Sequence, residues 1–208
     1  MQSSITSNVL RVPWNRGKMM GQKPPLKRNE IWAIRTRLQI AGQLRDLALF
    51  NLAIDSKLRA CDLVGLRVRD VTQGSNIASR AIVMQQKTKR PVQFEITEQA
   101  RTAISKLITT SKLESNNFLF NSRRKSSAHL STRQYAKLLK DWVAAIGLDP
   151  HAYGTHSMRR TKATLIYQRT KNLRAVQLLL GHTKLESTVR YLGIELDDAL
   201  EIAEQTEV

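Results

Sequence analysis

The spacing of hydrophobic residues changes twice along the chain, and this change constrains the fold more than any other feature. Residues 29–65 and 97–192 carry hydrophobic residues at helical spacing, and the segment LRDLALFNLAID is apolar nearly all round. Between them, IASRAIVMQQ and RPVQFEI alternate hydrophobic and polar residues as antiparallel strands do. The sequence therefore predicts a mainly helical α+β fold with one small antiparallel sheet and with LRDLALFNLAID at its centre.

Capping and turn residues give the boundaries of the predicted elements. Asn29 is expected to cap the first helix, and Asp62 to begin a short third helix that ends near Gly65. Val68 and Val71 are assigned to strands. Further helices are predicted at residues 98–108, 132–147, 156–167, 173–180, 188–192 and 196–204.

Charge gives the first indication of function. Of 208 residues, 34 are Lys or Arg and 17 are Asp or Glu, a formal net charge of +17. Residues 191–208 hold six of the acids and no Lys or Arg, so the first 190 residues carry +23. Because the basic residues lie among the periodic segments, we expect a folded surface that binds nucleic acid. An anionic membrane surface, or a basic protein without such a partner, is the alternative.

The chain divides into three predicted parts. Residues 1–28 contain three prolines, two glycines and five basic residues before Arg28, which predicts a flexible basic arm. Residues 29–195 form the folded domain, and residues 196–208 form an acidic helix or tail. The N-terminal sequence is unlike a signal peptide, no long apolar run is present and Cys61 is the single cysteine. These features predict a cytoplasmic protein without a membrane anchor or a disulfide.

Four segments carry side chains that could do chemistry: SKLRACDLVGLRVRDV, QQKTKRPV, GTHSMRRTKATLIY and VQLLLGHTKLESTVRYLGI. Taken singly, each has a plain structural explanation, such as a surface arginine, a solvated turn lysine or a helix stop at Gly181. Taken together, they supply a set of side chains that suits phosphoryl transfer. The six candidates are Arg59, Lys87, His156, Arg159, His182 and Tyr191.

Each of these residue types has a use in phosphoryl transfer. Arginine forks match the non-bridging oxygens of a phosphodiester and stay charged at any working pH. Lysine can protonate a leaving alkoxide, histidine can move protons near neutrality, and tyrosine is a nucleophile that requires a cationic site. The sequence has no acidic metal cage, HExxH pattern or phosphate-binding loop, so neither a metal nor a cofactor is expected.

The four segments resemble, in order and spacing, those of the tyrosine recombinases of the phage integrase family. KLRACDLVGL is similar to the family's arginine segment, with Arg59 matching the arginine, although Lys57 stands where the family often has glycine or another small residue. In the hairpin QQKTK, Lys87 is the best match to the family's lysine and Lys89 is a rival. HSMR matches the family's H-x-x-R, and LGH followed by Tyr191 matches its last segment.

The resemblance covers residues 28–195 and makes residues 29–195 a catalytic domain. Because only a short segment precedes that domain, the chain resembles short, catalytic-domain-only members such as the fimbrial phase-switch invertases. The resemblance implies a site-specific DNA recombinase whose partners are double-stranded DNA, further copies of the chain in a four-protomer synapse and an accessory DNA-bending protein.

The resemblance also implies a role for each candidate residue. Tyr191 attacks the scissile phosphate, forms a 3′-phosphotyrosyl bond and frees a 5′-hydroxyl. Arg59 and Arg159 clamp the non-bridging oxygens, Lys87 protonates the leaving oxygen and His182 donates a hydrogen bond to the phosphoryl group. The remaining histidine, in HSMR, assists proton transfer to and from the tyrosine.

Two other functions fit the same features. A non-catalytic DNA-binding protein could use the same fold, and a type IB topoisomerase would share the chemistry while relaxing supercoils.

The acidic tail is predicted to dock on protein, because its six acids do not favour a phosphate surface and its apolar residues leave one helical face without a partner. Its partner is a neighbouring protomer, as in related recombinases, or its own domain.

Overall fold

The computed structural model describes residues 22–122 and 127–193, which form a mainly helical α+β structure. The strands are β1 Thr72–Gln73, β2 Asn76–Ile77, β3 Arg80–Met84 and β4 Pro91–Glu95. The helices are α1 Arg28–Ile40, α2 Leu44–Ser56, α3 Ala60–Val64, α4 Glu98–Thr110, α5 Thr132–Ala145, α6 Thr155–Thr170, α7 Leu173–Leu180 and α8 Leu185–Leu192. The predicted fold class is confirmed.

Helix α2 lies at the centre of the fold, as its all-round apolar sequence predicts. Every residue from Asp46 to Ser56 is buried, and the helix packs against α1, α4, α6 and β4. Most buried hydrophobic residues belong to this one core. Because protein cores are close-packed, the C-terminal end of α2 is fixed from several sides.

A second, smaller core lies under the C-terminal helices. Ala163 of α6, Val176 and Leu180 of α7 and Leu192 of α8 are buried together, and Tyr191 packs against them. The first turns of α6 contribute instead to the main core. Helix α6 therefore joins the two parts of the domain.

The strands form two small sheets and not the single predicted sheet. β1 pairs with β2 and β3 pairs with β4, both in antiparallel register. The segment IASRAIVMQQ changes sheets after Ile77, where the N–H of Ala78 donates to the carbonyl of Val71 at 2.9 Å. The assignment of Val68 and Val71 to strands is wrong, because Val68–Asp70 is a 3₁₀ turn. A spacing of three residues places both valines on the same buried side of such a turn.

Helix α1 begins at Arg28, so the prediction that Asn29 caps it is wrong by two residues. The Glu30 carboxylate accepts a hydrogen bond from the N–H of Lys27 at 2.8 Å, and this contact starts the helix earlier.

Helices α3 and α8 also begin before their predicted first residues, at Ala60 and Leu185. Arg59, in extended conformation, is the N-cap of α3, so Asp62 lies inside the helix. Leu185 is exposed, so the first turn of α8 has no buried apolar residue to mark it in the sequence.

Residues 22–27 run without helical structure against α6 and α8. The rest of the predicted arm, residues 1–21, and the predicted acidic tail, residues 196–208, lie outside the described residues. Within the described part of the chain, no helix is long and apolar enough to cross a membrane.

Candidate active site

Arg59 lies at the junction of α2 and α3, at the edge of the main core. The chain leaves α2 through Lys57, whose backbone is left-handed (φ 54°), and then extends to Arg59. The Arg59 Nη1 donates to the Oε1 of Gln85 at 2.5 Å, and the Thr88 hydroxyl donates to the same oxygen at 2.8 Å. The buried Gln85 thus ties the arginine to the base of the β3–β4 hairpin.

The hairpin that carries Lys87 is fixed at its base and exposed at its tip. The buried carboxylate of Asp62 accepts a hydrogen bond from the N–H of Gln86 at 2.8 Å. Lys87 and Lys89 are both exposed, and Lys89 occupies a left-handed turn position (φ 51°). Of these two lysines, Lys87 is the one whose positive charge helps to lower the pKa of His156.

Helix α6 carries both members of the HSMR segment. Arg159 is only 4% exposed, and its Nη2 donates to the carbonyl of Leu180 at 2.8 Å. His156 lies one turn earlier on the same helix. Burial lowers the pKa of His156, and the charges of Arg159, Arg59 and Lys87 lower it further. The imidazole is therefore neutral at neutral pH and can accept a proton.

Gly181 allows the end of α7 to approach the hairpin. Its backbone is left-handed (φ 67°), and a Cβ at this position would lie 2.7 Å from a methyl group of Val92 on β4. No L side chain fits that space, so glycine is required for the turn that delivers the next residue, His182.

His182 contacts helix α8 directly. Its Nδ1 lies 3.1 Å from the hydroxyl of the buried Thr188, and its ring meets the Tyr191 ring edge-on with centroids 5.3 Å apart. Burial lowers the pKa of His182 to about 4, and the charges of Arg159 and Arg59 act in the same direction. The His182 ring is therefore neutral at pH values near 7.

Tyr191 points its hydroxyl into the protein. The hydroxyl is buried and makes no hydrogen bond of ordinary geometry with the described residues, although the Arg159 side chain lies close enough to favour its ionised form. The guanidinium carbons of Arg159 and Arg160 lie 5.8 and 5.7 Å from the ring centroid. Burial raises the pKa of Tyr191 to about 12, while the charges of Arg159, Arg160 and Arg59 oppose that rise. The phenol is protonated at neutral pH, and its neighbours are cations suited to a phosphate.

All six predicted residues are linked: His182, Tyr191 and Arg159 by ring and cation contacts, and Arg59, Lys87 and His156 by charge effects on pKa values. Sequence reasoning missed Gln85 and Arg160. Gln85 gives no signal, because its buried position depends on a hairpin contact. Arg160 is adjacent to Arg159 in the sequence, but neighbouring helical residues face different directions, so the pair suggested no joint role.

Within the described ranges, no group of three or more His, Cys, Asp or Glu residues could hold a metal ion.

Comparison with known proteins finds relatives that are named as recombinases. The chain is 33% identical over 153 residues to the probable integrase/recombinase YoeC of Bacillus subtilis, covering 74% of this chain and 80% of YoeC. It is 31% identical over 155 residues to the tyrosine recombinase XerC of Neisseria gonorrhoeae, covering 74% of this chain and 48% of XerC. The chain thus spans about half the length of the XerC relative.

Solved structures share the fold. The crystal structure of XerA recombinase matches with a TM-score of 0.72 and 21% identity, covering 95% of this chain and 69% of XerA. The Tn1549 transposon integrase, solved in complex with transposon right end DNA, matches with a TM-score of 0.67 and 18% identity, covering 90% of this chain and 67% of that one.

The sequence profile of the phage integrase family matches residues 25–195, a span that includes all six predicted site residues. The resemblance drawn from the four sequence segments is therefore confirmed, and the predicted enzyme class agrees with the names of the relatives. The chain belongs to the phage integrase family.

Proposed function

We propose that the chain is a site-specific DNA recombinase that cuts and rejoins DNA through a 3′-phosphotyrosyl intermediate, with Tyr191 as nucleophile. One observation carries the proposal: the Tyr191 hydroxyl is buried without a partner beside Arg159, Arg160 and His182. An unpaired buried hydroxyl costs free energy in the isolated fold. A phosphate in the same place would contact the tyrosine and the arginines together.

The two predicted clamp residues, Arg59 and Arg159, each use one guanidinium nitrogen to bind the protein and keep others for phosphate. Arg159 uses Nη2 to hold the Leu180 carbonyl, while its Nε is buried without a partner among the described residues. Arg59 uses Nη1 to hold Gln85. Each guanidinium keeps other N–H donors for the non-bridging oxygens, where negative charge develops in the transition state.

Cleavage begins with a proton transfer that the pKa values make necessary. The Tyr191 phenol, with a pKa near 12, needs a base, and neutral His156 accepts its proton. The phenolate oxygen attacks phosphorus, the 3′-phosphotyrosyl bond forms and the bond to the 5′ oxygen breaks. Lys87 donates a proton to that leaving oxygen. Neutral His182 donates a hydrogen bond to the phosphoryl group, with Thr188 fixing the ring at Nδ1.

Rejoining is the reverse reaction with a new 5′-hydroxyl. The 5′-hydroxyl of the partner strand gives its proton to Lys87 and attacks phosphorus, the phosphotyrosyl bond breaks, and the phenolate takes back a proton from His156. Since the covalent bond conserves the energy of the phosphodiester, no nucleotide is consumed. Exchange between two duplexes requires several copies of the chain, so the proposal includes a four-protomer synapse, and an accessory DNA-bending protein would assist its assembly.

The charge distribution supports double-stranded DNA as the substrate. The formal net charge of +17 rises to +23 over the first 190 residues, which include all of the predicted arm, residues 1–28. Binding of this kind releases counterions, so the logarithm of the affinity falls linearly with the logarithm of the salt concentration.

A nicked suicide substrate tests the proposal. Sites are first selected from random duplex DNA by binding, and the preferred site is then nicked beside the scissile phosphate. The short fragment that carries the freed 5′-hydroxyl diffuses away, so the covalent adduct accumulates and is detected on a denaturing gel. Wild-type protein should form the adduct, and Tyr191→Phe should bind equally well without forming it. No adduct from wild type on any selected site would favour the non-catalytic DNA-binding alternative.

A second assay separates recombination from topoisomerase activity. Products joined between two duplexes, formed at the selected site alone, are expected for a recombinase. Relaxation of supercoiled plasmid by a monomer without sequence preference would contradict the proposal and favour the type IB topoisomerase.

A further inference from the structure

Arg160 is buried beside the catalytic candidates but donates its hydrogen bonds to other partners than Arg159 does. Only 7% of its surface is exposed, and its Nη1 donates to the carbonyl of Lys23 at 2.8 Å. Its Nη2 donates to the carbonyl of Leu192 at 3.4 Å, and its Cζ lies 5.7 Å from the Tyr191 ring centroid. One guanidinium therefore joins the segment before α1, the last residue of α8 and the predicted nucleophile.

The segment at residues 22–26 is itself anchored to the domain. Leu26 is buried, and its N–H donates to the hydroxyl of Thr161 on α6 at 3.0 Å. The Gln22 side-chain amide donates to the carbonyl of Arg190 on α8. The segment thus reaches the nucleophile helix directly through Gln22 and indirectly through Arg160.

Helix α8 packs on α7 and α6 through a small buried face. Only Thr188 and Leu192 of its eight residues are buried. The last carbonyls of a helix have no partner within it and carry partial negative charge, so a cation placed there is favourable. Arg160 and Gln22 both donate to carbonyls in this last turn, which also contains Tyr191.

We propose that Arg160 is a positioning residue that holds the last turn of α8, and with it Tyr191, against the segment at residues 22–26. The segment at residues 22–26 would then influence how well the Tyr191 hydroxyl is aligned for attack on the phosphate. The expected effect on the rate of adduct formation rests on the proposed function, whereas the expected effect of Arg160 on the stability of α8 does not.

Single-turnover adduct formation at saturating nicked DNA measures the alignment. Arg160→Gln should slow adduct formation on the order of a hundredfold, because a small displacement of a reacting group costs that much. The dissociation constant for DNA should change far less than the rate. Arg160→Lys, which keeps the charge but loses the fork, should recover part of the rate. Gln22→Ala should slow the reaction by a smaller factor in the same direction.

Arg169→Gln is the matched control, because it removes the same charge from an exposed position on the same helix. Its adduct rate should stay near that of wild type. Equal losses of rate in the two variants would overturn the inference, since charge alone would then explain the effect. So would an Arg160→Gln rate equal to that of wild type.

Amide hydrogen exchange tests the structural part without any catalysis. In Arg160→Gln, α8 should lose protection while α2 keeps it. If wild type makes no adduct on any DNA, the proposed function fails. Hydrogen exchange would still show whether Arg160 stabilises the end of α8. Unchanged protection of α8 would overturn the inference even if the protein proves to be a recombinase. If Arg160→Gln does not fold, the same comparison is made with Arg160→Lys.

Discussion

The two sides of the candidate site are built differently. Arg59 lies at the edge of the main core, where α2 ends and where Gln85 and the hairpin base fix its guanidinium. Tyr191 lies on a short helix over a core of four buried residues, attached at its end by Arg160 and Gln22. The difference suggests that the proposed phosphate clamp is set before DNA arrives and that the position of the proposed nucleophile depends on a few contacts.

A buried ion cluster distinguishes the Arg59 side most clearly. The Lys57 side chain is fully buried, and its Nζ lies 3.1 Å from a carboxylate oxygen of Glu95 and 2.6 Å from the carbonyl of Asp55. Lys162 of α6 bridges the Asp55 and Glu95 carboxylates at 2.7 and 2.5 Å. Asp55 also accepts two hydrogen bonds from Thr97 at the start of α4. The cluster joins α2, α4, α6 and β4 two residues before Arg59.

The pKa values of the cluster follow from this packing. Burial lowers the pKa of Lys57, and the attraction of Glu95 opposes that change only in part. Burial alone would raise the pKa of Glu95, but Lys57 and Lys162 together bring it below its usual value. Burial alone would likewise lower the pKa of Lys162, but its contacts with Asp55 and Glu95 outweigh burial and raise it.

The largest expected effect is on the Tyr191 side. Tyr191→Phe should abolish the covalent adduct and leave DNA affinity unchanged. Because the hydroxyl has no partner among the described residues, its removal should leave the Tm equal to that of wild type or slightly higher. Denaturing gels and thermal melts measure the two quantities. Adduct formation by this variant would assign the nucleophile elsewhere, and a Tm several degrees lower would mean that the hydroxyl stabilises α8.

The clamp arginines should have the next largest effect. Arg59→Lys and Arg159→Lys should each slow single-turnover cleavage by on the order of a hundredfold, about 3 kcal/mol in the barrier, since lysine cannot form the fork. Affinity for DNA should fall far less. Arg159→Lys should also lower the Tm, because it loses the bond that joins α6 to the end of α7. Equal losses of affinity and rate would make both arginines ordinary backbone contacts.

Breaking the ion cluster tests the other side of the comparison. Lys57→Ala should reduce the free energy of unfolding by about 2 kcal/mol, less than for a fully buried pair because Glu95 is partly exposed to water. Lys57→Gly should recover roughly 1 kcal/mol of that loss, because glycine adopts the left-handed backbone without strain. Urea unfolding measures both variants. The exposed Lys112, with φ 49°, offers a matched control, since Lys112→Ala removes a left-handed lysine outside the cluster.

The last expected effect is a dependence of stability on pH. The pKa of His182 is about 4 in the folded protein, against about 6.5 in an unfolded chain. The unfolded state therefore binds the proton first, so the stability is complete above pH 6.5 and falls as the pH decreases toward 4. His182→Gln should not show this loss of stability at low pH, because glutamine does not titrate. The Tm difference between wild type and variant should shrink from pH 7 to pH 4.5, and a constant difference would contradict the depressed pKa.

Local sequence patterns predict much of this molecule for a physical reason. Helical and alternate-residue spacing reflect which face is buried, so α2 could be placed at the centre and β3 and β4 in a hairpin from the sequence alone. Over a segment of three residues, the spacing of hydrophobic residues does not distinguish a strand from a 3₁₀ turn. The prediction of strands at Val68 and Val71 is wrong for this reason. Boundaries that depend on a side-chain cap, such as the Glu30 contact that starts α1, were likewise misplaced.

The sequence by itself determined the family, the order of the six candidate residues and the elements that carry them, because those properties lie in residue types and short spacings. Only the tertiary structure decided which atoms meet. Lys162 and Asp55 are 107 residues apart in the chain, and Arg160 and Lys23 are 137 apart, so no local pattern relates them. The same holds for the raised pKa of Tyr191 and the lowered pKa of His182. Both shifts arise first from burial, and burial exists only when distant segments have packed together.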